Sequence, residues 1–173
     1  LINLPLHIGS ALLVAGIATF FVRNKMAAVI IGLVFLLHPL HTEAVVWASA
    51  RKDVLSTFFA VASTGCSVRY GGRGRGWYAG SIACFAAALL SKVTPLLLPL
   101  ALVFIDWKNH ELHAKRAGRE LLPYFALTVL FAVIAAFGKI GNDAFLLEKF
   151  LIACRSILLS LQHFVLPTGL SVL

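Results

Sequence analysis

Charge is what this sequence has least of. Asp, Glu, Lys and Arg together make up 13% of its 173 residues, about half the share usual in soluble domains, and the mean hydropathy is +0.93. A water-soluble globule is excluded. Cysteine is scarce as well: Cys66, Cys84 and Cys154 all lie in apolar stretches, where a free thiol behaves as a small hydrophobe, so no disulfide framework is expected. An Asn-x-Ser/Thr sequon, a zinc-finger spacing of Cys and His, and a leader with an initiating Met are all missing. The sequence opens at Leu1 and closes in an apolar stretch, residues 170–173. The expectation is a fragment of a longer polytopic membrane protein: one transmembrane domain over 1–173, without an N-terminal span and its outer loop, and without a C-terminal region. The net charge of +8 is spread between apolar runs and does not form one patch, so disorder and nucleic-acid binding are poor readings.

What the sequence does have is apolar length. A crossing helix needs about 20 residues, because the hydrocarbon core is about 30 Å thick and a helix rises 1.5 Å per residue. Residues 4–22 meet that length. Residues 26–42 are expected to cross and then break at Pro39. The runs 54–68, 77–91, 93–107 and 121–138 bring the predicted crossings to about six, the shorter ones leaning on their polar flanks. Residues 146–166 place Glu148, Lys149, Arg155, Gln162 and His163 on one wedge of a helical wheel, the pattern of an amphipathic helix at the interface. The fold class expected is therefore all-α, a polytopic transmembrane helix bundle. Gly16, Gly32, Ala86, Ala87 and Ala88 are the small residues expected to let its helices approach closely.

If crossings alternate, Arg23, Lys25, Arg69, Arg73, Arg75, Lys108, Lys115, Arg116 and Arg119 share one side. Arg51, Lys52, Lys92, Lys139 and Lys149 take the other. The positive-inside rule makes the first side cytoplasmic and places Leu1 outside. The glycine and arginine run at 69–76 matches neither GxGxxG nor the P-loop and reads as a cytoplasmic turn. Residues 108–120 read as a solvated inside loop, with His110 and His113 at its surface.

The informative residues lie on the other side. His38 and His41 close the second run, Glu43, Trp47, Arg51, Lys52 and Asp53 follow it, and Lys92 sits at the turn between the fourth and fifth. Ionisable groups near membrane depth are costly, so by default they mark a functional site. If Thr42 caps a helix, then Glu43, Trp47 and Arg51 fall at i, i+4 and i+8 on one stripe. Arg51 would then lie over Trp47 by cation–π attraction while its guanidinium fork grips a phosphate. Lys92 offers a second cation, and Asn3 and His7, spaced i, i+4, belong to the same side. A blander reading makes His38 and His41 helix-end hydrogen-bonders, lets Arg51 and Lys52 snorkel to headgroups, and pairs Asp53 with one of those two. A metal held by His38, His41 and Glu43 is chemically conceivable, but a proline separates the histidines and no further ligand is in view, so no metal is expected.

The stretch His38-Pro39-Leu40-His41-Thr42-Glu43-Ala44-Val45, followed by Trp47 and Arg51-Lys52-Asp53-Val54-Leu55, resembles the motif of polytopic GT-C type glycosyltransferases. Among these it is most similar to the transmembrane-and-tetratricopeptide-repeat O-mannosyltransferases and their bacterial relatives. Asn3-Leu4-Pro5-Leu6-His7, Leu89-Leu90-Ser91-Lys92 with Pro95 and Asp106-Trp107, and Leu166-Pro167-Thr168-Gly169-Leu170-Ser171 agree in order. The resemblance thus spans nearly the whole chain.

It implies a GT-C-like bundle that moves a sugar, mannose by the family's name, from a polyprenyl-phosphate carrier to a protein or glycan acceptor on the outer or lumenal face. The lipid-linked sugar is then a donor substrate, no cofactor is called for, and membrane lipid surrounds the chain. Asn3, His7, His38, His41, Arg51 and Lys92 are the expected substrate-binding residues, with Arg51 and Lys92 neutralising the lipid phosphate both when bound and as it leaves. An inverting transfer also needs a carboxylate to deprotonate the acceptor hydroxyl. The resemblance places that acid in the first outer loop, ahead of this sequence. Glu43 is then the best carboxylate remaining, as catalytic base or as a partner orienting His41 or Arg51. A bacterial cytoplasmic membrane is the favoured location, the endoplasmic reticulum if the source is eukaryotic. A multi-pass transporter or flippase for a lipid-linked or anionic substrate is the main alternative, and a purely structural subunit the third.

Overall fold

The computed structural model describes residues 2–39, 45–70, 74–108, 114–137 and Arg155. Among them every regular element is helical. The first helix, α1 (Asn3–Phe21), is apolar almost throughout and ends where Val22 turns extended. Asn24 then starts α2 (Lys25–Leu37), its side-chain oxygen accepting the Met26 N–H at 2.9 Å, which satisfies one of the donors a helix start leaves open. α2 stops at Leu37 because His38 precedes a proline and is forced extended, with φ −64° and ψ 128°. The expected break at Pro39 is therefore where the helix ends.

A 3-10 turn, Ala48–Ala50, leads into α3 (Arg51–Tyr70), which is followed by α4 (Arg75–Ser91). A second 3-10 turn, Thr94–Leu97, precedes α5 (Leu98–Lys108), and α6 (Ala114–Phe137) is the last described helix. Three expectations change at this level. The run 93–107 is not one helix: Pro95 opens the 3-10 turn and Pro99 the first turn of α5, where a missing N–H is tolerated. The α5 segment alone is only about 16 Å long at 1.5 Å per residue. The inside loop expected over 108–120 is shorter, since α6 already begins at Ala114 and takes in Lys115, Arg116 and Glu120, all good helix formers. The continuous helix expected from Thr42 to Arg51 is interrupted, because the chain leaves α geometry at Trp47 and passes through the 3-10 turn. Trp47 and Arg51 therefore do not stack on one α-helical stripe. Thr42 and Glu43 lie outside the described residues, as does the predicted amphipathic segment 146–166 apart from Arg155.

Hydrogen bonds between helices fix the topology as up-and-down. The start of α1 meets the end of α2 through His7 and Leu36, the start of α3 faces the end of α4 through Ser56 and Ala88, and Tyr78 on α4 reaches Glu120 on α6. One end of the bundle thus holds Asn3, His38, Arg51 and Lys92. The other holds Lys25, Arg69, Arg75 and Glu120.

Two kinds of packing join these helices. Between α1 and α2 the approach is limited by backbone: a Cβ on Gly32 would lie 2.8 Å from the Ala15 Cβ and 3.0 Å from the Ala11 carbonyl oxygen. Gly16, expected at an interface, has nothing within 4 Å of such a position. Gly32→Leu should therefore push α2 off α1 and cost about 1–3 kcal/mol, while Gly16→Leu should be close to neutral. Thermal unfolding of the two variants in detergent checks this.

Around α4 the packing is by large side chains. Phe85, Leu89, Leu102, Leu121 and Tyr124 form one buried cluster from α4, α5 and α6. Beside it Ser63 and Ser81 each donate to the other's carbonyl, at 2.9 and 2.6 Å, and the Tyr124 hydroxyl donates to Ser81 Oγ at 2.7 Å. These hydroxyls thus find their partners inside the bundle, as polar groups in an apolar interior must. Of the described helices, α1 is the one both long and apolar enough to cross a membrane, while Lys25–Leu37 and Thr94–Trp107 are apolar but shorter.

Candidate functional site

The end of the bundle that carries Asn3 is built around the segment the sequence singles out. Asn3 and His7, one turn apart at the start of α1, are about 5% exposed. The Asn3 amide donates to the Trp47 carbonyl at 3.0 Å and, at 3.5 Å, to that of Val45. The His7 Nε2 lies 3.2 Å from the Leu36 carbonyl, and its ring lies 5.4 Å from that of Phe35. One side chain therefore fastens the chain just before His38-Pro39 and the other just after Ala44. Both side chains thus reach main chain on either side of the motif. His41 and Glu43, within that segment, lie outside the described residues. Asn3→Leu removes a donor from partly buried carbonyls and should lower stability by about 1–3 kcal/mol, measured as a fall in the unfolding temperature.

Arg51 opens α3, and Lys92 follows the last residue of α4, its N–H donating to the Ala88 carbonyl at 3.0 Å. Ser56 Oγ donates to that same carbonyl at 3.1 Å. This pins the first turns of α3 against the last turn of α4. Across the junction the Lys92 ammonium forms an ion pair with the Asp53 carboxylate. Asp53 thus pairs across the hairpin, not with Arg51 or Lys52 as the blander reading expects. The side chains are 41% and 35% exposed, and at such exposure a pair adds only about 0–1 kcal/mol. Its weight is in placement, not stability.

The helical period explains the partner choice. Residues two apart on a helix point in nearly opposite directions, at about 100° per residue. Arg51 shares a seven-residue stripe with Phe58 and Gly65, and that stripe faces α1: a Cβ on Gly9 would sit 3.0 Å from Phe58 Cε2, and one on Gly65 3.6 Å from Ile17 Cγ1. Asp53 turns away from that stripe, towards Lys92. Arg51 and Lys92 therefore flank the first turn of α3 on different sides, at the same end of the bundle. Sequence reasoning passes over Asp53 as a local neutraliser. The signal is nonetheless present, since the third residue of one helix and the residue closing the next lie level in an antiparallel pair.

The cation–π contact expected of Arg51 and Trp47 has its counterpart at the far end, where the Arg69 guanidinium lies 5.5 Å from the Trp77 ring centre. There the Tyr70 hydroxyl also donates to Glu120 Oε1 at 3.1 Å and the Tyr78 hydroxyl to the Glu120 carbonyl at 2.9 Å. Among the described residues no three of His, Cys, Asp and Glu gather as metal ligands would.

Comparison with known proteins finds similarity to an O-mannosyl-transferase over part of the chain. The chain is similar to Protein O-mannosyl-transferase TMTC2 of Homo sapiens, 28% identical over 130 residues that cover 71% of this chain and 15% of that protein. It is similar to TMTC2 of Mus musculus at 29% identity over 131 residues, covering 68% and 15%. The chain thus spans about 15% of the length of these curated relatives. No family profile matches the chain, and no solved structure does.

Proposed function

We propose that this chain is part of a membrane-embedded glycosyltransferase of GT-C type that transfers a sugar from a polyprenyl-phosphate donor to a hydroxyl acceptor on the extracytoplasmic face. The observation that carries the reading is that Arg51, the first residue of α3, and Lys92, just past the end of α4, lie at the same end of the bundle as Asn3 and His7. The similarity to an O-mannosyltransferase supports the same chemistry.

Membrane embedding is supported by the outward faces. Leu12, Met26, Leu37, Leu90, Phe104 and Phe137 are each more than half exposed, and a bundle of hydrophobic helices stays soluble with such faces only in lipid. With the up-and-down topology, Arg69, Arg75 and Arg119 fall on one side, which the positive-inside rule assigns to the cytoplasm. Asn3, His38, Arg51 and Lys92 then face outwards, where a lipid-linked donor presents its sugar.

In the reaction the acceptor oxygen bonds to the anomeric carbon, the carbon–oxygen bond to the phosphate breaks, and the acceptor proton passes to a carboxylate base. Polyprenyl phosphate leaves with an added negative charge. Cations fixed where that charge develops lower the barrier, and Arg51 and Lys92 take that role. The base is assigned to the first outer loop, with Glu43 as the carboxylate of this chain left for that role, since Asp53 is paired with Lys92. A transporter would need charged or labile polar groups along its midplane, whereas the mid-bundle hydroxyls of Ser63 and Ser81 are neutral and donate to each other's carbonyls, and that of Tyr124 donates to Ser81 Oγ. The full-length protein, supplied in membranes with polyprenyl-phosphate mannose and then glucose donors, should transfer sugar to a protein acceptor. Transport of the donor without release of its sugar would replace this reading with the flippase one.

A further inference from the structure

We infer that Asp53 is an internal competitor for Lys92 that limits how long a phosphate monoester is held at this end of the bundle. This rests on reading Arg51 and Lys92 as cations for a lipid-borne phosphate.

Three observations lead to it. The Asp53 carboxylate already occupies the Lys92 ammonium. The Ser56 bond to the Ala88 carbonyl, together with the Lys92 N–H on that same oxygen, holds the two backbones in register, so the pairing is imposed by the hairpin. Both side chains keep more than a third of their surface exposed, which leaves the ammonium within reach of an incoming oxygen. Arg51, on the α1-facing stripe, is directed away from Asp53. A phosphate seated over the end of α3 therefore meets Arg51 directly and must draw Lys92 off its carboxylate.

The need for such competition follows from the charge of the two ligands. A sugar phosphodiester carries one negative charge, whereas the monoester left after transfer carries between one and a half and two, its second pKa being about 6. Two free cations would hold the monoester more tightly than the diester and slow its departure. When a binding group is free only part of the time, affinity falls by that fraction. A pair as exposed as this one leaves Lys92 off Asp53 in at least about a sixth of molecules, so removing the carboxylate should tighten monoester binding by up to about sixfold.

The test is retention of radiolabelled polyprenyl monophosphate by the full-length protein in phosphatidylcholine nanodiscs, with inorganic phosphate at matched concentration as a second arm. Asp53→Asn should hold the lipid about two- to sixfold more tightly than wild type and release it more slowly, Asp53→Glu should return to the wild-type value, and Lys92→Ala should abolish the difference. Asp53→Ser serves as the uncharged variant if the asparagine protein does not fold. A merely structural Asp53 would weaken binding on substitution, so the direction of the change is itself diagnostic. Unchanged or weaker binding in the uncharged variants, with wild type still retaining the lipid and Arg51→Ala losing it, would overturn the role of Asp53 while leaving the phosphate site standing. No retention by any variant would overturn both. Equal binding of inorganic phosphate, with the same dependence on Asp53, would overturn the assignment to a lipid-borne phosphate.

Discussion

Lys92→Ala in the full-length protein is expected to lower sugar transfer at least about 100-fold, and Arg51→Ala by about the same order, the loss typical when one fixed donor is taken from a developing anion. Lys92→Ala is the more damaging of the two. It removes a cation and also strands the Asp53 carboxylate, leaving an unpaired negative charge beside an anionic substrate. Adding Asp53→Asn to Lys92→Ala should therefore recover part of the lost rate, a rescue that Arg51→Ala should not show. Because the cations approach from different flanks of α3, each is expected to meet its own phosphate oxygen, and Arg51→Lys should retain part of the activity while losing the two-pronged grip. Neither alanine variant should move the unfolding temperature much, since exposed ion pairs contribute about 0–1 kcal/mol. Transfer rates at saturating donor, measured beside unfolding curves, separate lost chemistry from lost fold.

Phe85→Ala is the substitution expected to cost most in stability. The ring is fully buried, packs among Leu89, Leu102, Leu121 and Tyr124, and lies 5.5 Å from the Tyr124 ring. Truncating a buried Phe costs about 3–5 kcal/mol in soluble proteins. In lipid the transfer part of that cost shrinks, because acyl chains are as apolar as the core, and packing contacts dominate. A loss of about 3 kcal/mol is expected, with Phe85→Leu costing less than half as much. Because the cluster joins α4, α5 and α6, the variant should loosen these three while the α1–α2 contact at Gly32 persists. Amide exchange of the detergent-solubilised protein reads the two regions separately.

Hydropathy and helix-breaking residues make most of the helices visible in the sequence. The stop before Pro39 and the helix over 77–91 follow from local chemistry. The boundaries that differ do so for equally local reasons: two prolines shorten the fifth helix, and good helix formers extend the sixth back over a stretch that reads as loop. The site is harder to see. The one-sided placement of Asn3, His38, Arg51 and Lys92 can be read from alternation alone. The Asp53–Lys92 pair requires knowing the register of two helices, which no single segment reveals. The stripe drawn through Glu43, Trp47 and Arg51 assumes an uninterrupted helix, and the 3-10 turn at Ala48–Ala50 rotates Arg51 away from it. The bonds of Asn3 and His7 to the Trp47 and Leu36 carbonyls also depend on how neighbouring segments meet, which a sequence pattern cannot name.

The most direct test of the phosphate site is to locate the lipid phosphate itself. A polyprenyl phosphate carrying a photoreactive group next to the phosphorus, bound to the full-length protein in membranes and activated by light, should label peptides from the start of α3 and the end of α4, residues 48–56 and 88–97. Excess unlabelled polyprenyl phosphate should compete the label away, and Arg51→Ala should diminish it. Label at the opposite end, around Arg69 and Arg75, or spread along the outward faces without competition, would contradict the placement of the site.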